Sequence, residues 1–174
     1  MGSIDYAELV KGMGDDRKQA EHYVLNYERE LADYADRKRE YLDSLASAAA
    51  ENAGGGRGNL PGHPVEALAI RSAQYDMDNP AYLWLKSVEI ALRTFGERKR
   101  IFINVRREAE AKGNYRDGHP GRRAWVVYTQ RRYAEEIQNR FINANGWIGE
   151  RTVRAWWAQI LDCIVEIHLR IVKK

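Results

Sequence analysis

Cysteine is nearly absent from this chain: a single residue, Cys163, in 174. That excludes an internal disulfide framework and a cysteine-based zinc site, and within the apolar run "AQILDCIVEI" Cys163 reads as a small buried hydrophobe. Proline is scarce as well, with four residues. The chain is instead rich in Ala, Arg, Glu, Leu and Tyr, which favours helices over a many-stranded sheet. No apolar run approaches the roughly 20 residues that cross a bilayer. The opening "MGSIDYAELV" has neither the basic nor the apolar region of a secretory signal, so the expectation is a cytoplasmic protein with no membrane partner.

Metal and catalytic signatures are missing too. The four histidines, His22, His63, His119 and His168, fall in four separate segments without the i, i+4 spacing of a zinc pair. No nucleophile motif accompanies them, and the glycine-rich "AGGGRGNLPGHPVE" lacks the Gly-Lys-Ser/Thr of a phosphate-binding P-loop. The sequence therefore points away from an enzyme, a metal and a cofactor. Asp76 and Asp78 in "YDMDNP" read as helix-terminating and capping residues.

Charge is present, and it is unevenly placed. Residues 1–52 carry 7 Lys/Arg against 12 Asp/Glu, whereas residues 93–154 carry 15 against 7, beneath an overall net charge of +3. An acidic segment joined to a basic one suits a nucleic-acid binder with a separate assembly or regulatory part.

The hydrophobic pattern predicts an all-α fold: a long N-terminal helix, a glycine-rich joint, then a helical body ending in a helix-turn-helix. From about Asp15 to Glu51, the residues Tyr27, Leu31, Tyr34, Lys38, Tyr41, Leu45 and Ala48 alternate spacings of four and three, the seam of a heptad repeat. The seam suits either a neighbouring helix of the same chain or a second copy. Four glycines among residues 54–58 end that helix, and residues 53–62 read as a joint. Pro64 and Glu66 open the next helix, whose apolar positions Val65, Leu68 and Ala69, extended by Ser72 and Ala73, fall on one face. "NP" at 79–80 separates it from a third, "AYLWLKSVEIALRTF". "ERKRIFINVRREAEAKG" reads as a fourth helix with a basic outer face, followed by the loop "NYRDGHPGRR". Trp125–Tyr128 has the composition of a strand, and helix is expected from Thr129 at least.

The order "YAEEI", a turn containing Gly146, then "IGERTVRAWWAQIL" has the form of a helix-turn-helix over about 129–172. Ala134 and Ile137 would pack inward, Ile148 would plug the turn and Val153 would anchor the second helix. Glu150, Arg151, Thr152 and Arg154 would then face a DNA major groove, because arginine's planar fork matches guanine edges and phosphates. Arg122, Arg123, Arg131 and Arg132 would hold phosphates. The domain reading is thus an acidic heptad helix over 1–52, the joint over 53–62, and a helical double-stranded-DNA-binding domain over 63–174.

The stretch "NAGGGRGNLPGHPVEALAIR", lying between a long charged helix and this basic C-terminal part, resembles the RinA/ArpU group of phage late-gene transcriptional regulators. The residues that carry the likeness are Gly54, Gly55, Gly56, Arg57, Asn59, Pro64, Glu66, Ala69 and Arg71, then Ala134, Ile137, Arg151, Thr152, Val153 and Trp156. The resemblance implies a C-terminal domain like sigma-factor region four and a sequence-specific DNA-binding activator of phage or prophage genes, acting in the host cytoplasm. The N-terminal helix would either form a homo-oligomer or contact RNA polymerase. The alternative is a small-terminase-like DNA-packaging adaptor, which also combines a helix-turn-helix with oligomerising helices.

Overall fold

No proline precedes Pro61, so nothing in the backbone chemistry interrupts a helix before the glycine cluster. In the computed structural model, which describes residues 6–53, 64–112, 124–141 and 144–173, that stretch forms two helices rather than one: α1 (Tyr6–Leu25) and α2 (Tyr27–Ala53). The bend is at Asn26. Its backbone stays in the helical ladder, with Asn26 N–H donating to His22 O at 3.0 Å and Glu30 N–H to Asn26 O at 2.9 Å. The Asn26 amide Nδ2 donates to the same His22 carbonyl at 2.9 Å, and this side-chain competition within the ladder accounts for the bend.

The remaining helices are α3 (Pro64–Asp78), α4 (Pro80–Thr94), α5 (Glu97–Ala111), α6 (Ala124–Arg140) and α7 (Glu150–Val172), and the described residues contain no strand. The fold is all-α. Asn79 separates α3 from α4 as expected: its extended backbone precedes Pro80, and its Oδ1 accepts from Ala81 N–H at 3.0 Å. It is Asn79, and not Asp76 or Asp78, that caps α4.

Helices α1, α4, α5, α6 and α7 enclose one apolar core, in which Val24, Val88, Phe102, Ile137, Ile160 and Ile164 are fully buried. Each such side chain contributes about 1.5–3 kcal/mol of burial free energy. Helix α1 lies antiparallel on α7: the Trp157 indole donates to Glu21 at 2.9 Å, and one turn on Arg17 pairs with Asp162 at 2.6 Å. The acidic segment 1–52 is thus divided, its first helix in the core and its second outside it.

Arg106 ties these helices together. Its side chain is 4% exposed and packs beside the rings of Trp125 and Trp157, 4.6 and 5.3 Å from their centroids. It pairs with Glu110 at 2.9 Å and with Glu21 at 3.7 Å. The neighbouring Arg107 donates to the Val24 carbonyl at 2.7 Å. The basic outer face expected of this helix is therefore only partly outward, since two of its arginines serve the interior.

Helix α2 packs instead on α3 and the start of α4. Tyr34 lies 5.6 Å from Tyr82, Tyr41 stacks on Tyr75 at 4.7 Å, and Asp76 accepts from both Tyr34 and Lys38, the latter at 2.6 Å. Burial and the Asp76 hydrogen bond push the Tyr34 hydroxyl pKa up. Tyr34, Lys38 and Tyr41 are three of the heptad-seam residues, so the middle of the seam is occupied by the chain's own helices, while Leu31 stays exposed. On α3 the packed side is only partly the expected one: Ser72 turns inward, with Tyr75 and Asp76, while Leu68, Ala69 and Ala73 are exposed. The aromatic contacts available from α2 outweigh the small apolar residues of the other face.

Trp125–Tyr128 is helical from Ala124 onward. Val126, Thr129, Tyr133 and Ile137 are buried at helical spacing, and the core contacts of that face override the strand-like local composition.

Candidate nucleic-acid interface

The connection between α6 and α7 spans residues 141–149, longer than the three or four residues of a tight helix-turn-helix. Its residues 144–149 run back along α6. A Cβ on Gly146 would lie 2.8 Å from the Ala134 carbonyl oxygen and 2.8 Å from Ile137 Cβ, so only glycine allows the connector to sit this close. Further on, the Gln130 amide donates to the Ile148 carbonyl at 2.8 Å, which sets the first turn of α7 beside the middle of α6. Ile137 and Val153 are buried and Ile148 packs against the core.

On α7, Arg151, Arg154, Ala155, Ala158, Gln159 and Asp162 form one exposed stripe. Its first three turns bear two arginines, two small residues and an amide, with no bulky apolar side chain. Arg151 makes no ion pair with a described residue, while Arg154 is held by Glu150 at 2.9 Å. Thr152 is half-buried. Trp157 is buried and Trp156 partly so, edge-on to Phe102 and Tyr133, so both tryptophans belong to the core. Trp147, on the connector, is 62% exposed.

The phosphate-holding arginines expected on α6 have carboxylate neighbours. Arg132 meets Glu136 at 2.6 Å, Glu135 at 3.2 Å and Glu108 at 3.4 Å. The hydrogen bond to Glu135, then the charges of Glu136 and Glu108, raise its already high pKa. Arg132 is thus committed to joining α5 and α6. Arg131 faces Glu135 at 3.4 Å with its side chain 84% exposed, a pair weak enough to exchange for a phosphate. Arg122 and Arg123, with Arg57, His63 and His119, lie outside the described residues.

Cys163 is half-buried rather than fully buried, and burial, then the nearby Glu166, push its thiol pKa up, which favours the protonated form. No group of three or more His, Cys, Asp or Glu among the described residues is placed to hold a metal ion. No helix among them is long and apolar enough to cross a membrane.

Fold and surface together define an all-helical protein that presents one exposed, arginine-led helix face beside a glycine-pinned connector. No family model, curated protein or solved structure matches the chain significantly.

Proposed function

We propose that the protein is a non-enzymatic, sequence-specific binder of double-stranded DNA that regulates transcription, with α6, the connector and α7 acting as a helix-turn-helix and α7 entering the major groove. The observation that carries this reading is the exposed stripe of α7. Arg151 is exposed and makes no ion pair with a described residue, Gln159 offers the donor and acceptor that adenine's major-groove edge requires, and Ala155 and Ala158 leave room for groove walls and thymine methyls. The resemblance to RinA/ArpU regulators supports an activator of phage or prophage genes, with RNA polymerase as a second partner.

The test is retention of a random-sequence duplex pool on the purified protein at about 50 mM salt, a concentration at which phosphate-driven binding is strong, followed by sequencing of the retained DNA. An enriched motif is expected. No retention overturns the reading, and retention without any enriched sequence overturns its specificity. Replacing Arg151 by Ala should cost about 1–3 kcal/mol and relax the preference at one base pair.

A further inference from the structure

The strongest unpaired positive charge among the described residues is not where the arginine-rich α6 places it. On α6, Arg131, Arg132 and Arg140 each have a glutamate within ion-pair distance. In the first turns of α5, Arg98, Lys99 and Arg100 have none among the described residues, although Glu97 precedes them. Arg98 and Arg100 are exposed. Cations in the first turn of a helix oppose its dipole, so local helix energetics do not account for three in a row.

Their setting is specific. The Arg98 guanidinium lies 5.6 Å over the Phe141 ring at the end of α6, and Lys99 Nζ lies 5.6 Å from the Phe95 ring. The first contact sets Arg98 beside the end of α6, and the second holds Lys99 against the junction of α4 and α5. One turn further, Phe102 packs edge-on to Trp156 of α7, and the Lys99 charge reaches Cys163, where it offsets part of the burial effect on the thiol. Arg98 and Lys99 therefore lie on the side of α5 that faces α6 and α7, and Arg100 follows them at an exposed position of the same turn. A helix lying in a major groove about 12 Å wide has a phosphate backbone on either side.

We infer that Arg98, Lys99 and Arg100 form a second contact surface, for the phosphate backbone of the duplex that α7 reads. This rests on the DNA-binding reading above and extends it to residues with no part in base recognition. Arginine's fork and lysine's ammonium both suit phosphate oxygens, and such contacts set the protein's orientation on the duplex without adding sequence preference.

The experiment is the salt dependence of binding to a short fluorescein-labelled duplex of mixed sequence, followed by anisotropy with the full chain. Each phosphate contact contributes about 0.9 to the slope of log K against log salt. Changing Arg98, Lys99 and Arg100 together to Gln is expected to make that slope shallower by about 2–3 and to weaken binding at low salt by more than about tenfold. Arg100→Glu alone, at an exposed side chain with no packing role, is expected to lower the slope by at least about 1, and it decides the matter if the triple variant loses helical circular dichroism. Arg71→Gln on α3 removes a charge elsewhere and is expected to leave the slope unchanged. Failure of the unaltered protein to bind overturns the DNA reading itself. Binding by the unaltered protein with the slope retained in the α5 variants overturns this inference alone, as does an equal loss in Arg71→Gln.

Discussion

The body, built from α1 and α4–α7, and the hairpin of α2 on α3 are held by different physics. The body closes on aliphatic and aromatic side chains, with Arg106 buried between two tryptophans. The hairpin closes on a row of tyrosines and on the buried Tyr34 with the half-buried Lys38 and Asp76, and it leaves Leu31, Leu68, Ile70 and Met77 exposed. A region held by half-buried polar contacts opens at lower free energy than one held by a dry core. On the proposed DNA-binding reading, recognition belongs to the dry-cored body, where a helix face can be aimed, and the hairpin is the more readily deformed part.

The largest expected break is Arg106→Ala. It empties the space between Trp125 and Trp157 and removes the cation shared by Glu21 and Glu110, so a loss of about 3 kcal/mol is expected by chemical denaturation, in line with a truncated core side chain. Both carboxylates are more than a third exposed, and water therefore keeps the cost from rising further. Next comes Gly146→Ala, which forces the connector off Ala134 and Ile137. The expected cost is about 1–3 kcal/mol, with DNA affinity lost while helical content is retained. An unchanged affinity would detach the connector from recognition.

Asp76→Ala is the corresponding break in the hairpin. It strands the Tyr34 hydroxyl and the Lys38 ammonium at a cost of about 1–2 kcal/mol. Hydrogen exchange should accelerate in α2 and α3 with little change in α4–α7, and equal acceleration throughout would erase the distinction between the two regions.

The smallest effect concerns pH. His168 stacks on Trp84 at 3.6 Å, and burial lowers its pKa below 6.5, against smaller opposing effects from the Leu83 backbone and Asp16. The unfolded chain then takes up a proton that the folded one refuses, so this contribution is present above about pH 6.5 and is lost as pH falls below it. The fall in melting temperature on acidification from neutral to about pH 5 should be smaller in His168→Gln than in the unaltered protein.

The helical fold class, the Asn79–Pro80 break and the inward roles of Ile137 and Val153 were legible from periodicity and capping alone. So was the exposed pair Arg151 and Arg154. The bend at Asn26 was not, because a single amide competing for a backbone carbonyl leaves the heptad pattern undisturbed. Nor was the fate of the arginines. A run of basic residues reads the same whether its charges are paired, buried or free, and only the positions of Glu21, Glu108, Glu110, Glu135 and Glu136 in space distinguish Arg106 and Arg132 from Arg98 and Arg100. Gly146 was visible as a turn residue, but its close approach to Ala134 depends on a connector that doubles back.

The most direct test of the account is hydrogen exchange of the whole protein with and without saturating duplex DNA from the enriched pool. Protection is expected in the first three turns of α7, in the connector and in the first turns of α5, with α2 and α3 unchanged. Protection confined to α2 and α3, or no protection anywhere in a protein that retains the DNA, would contradict it.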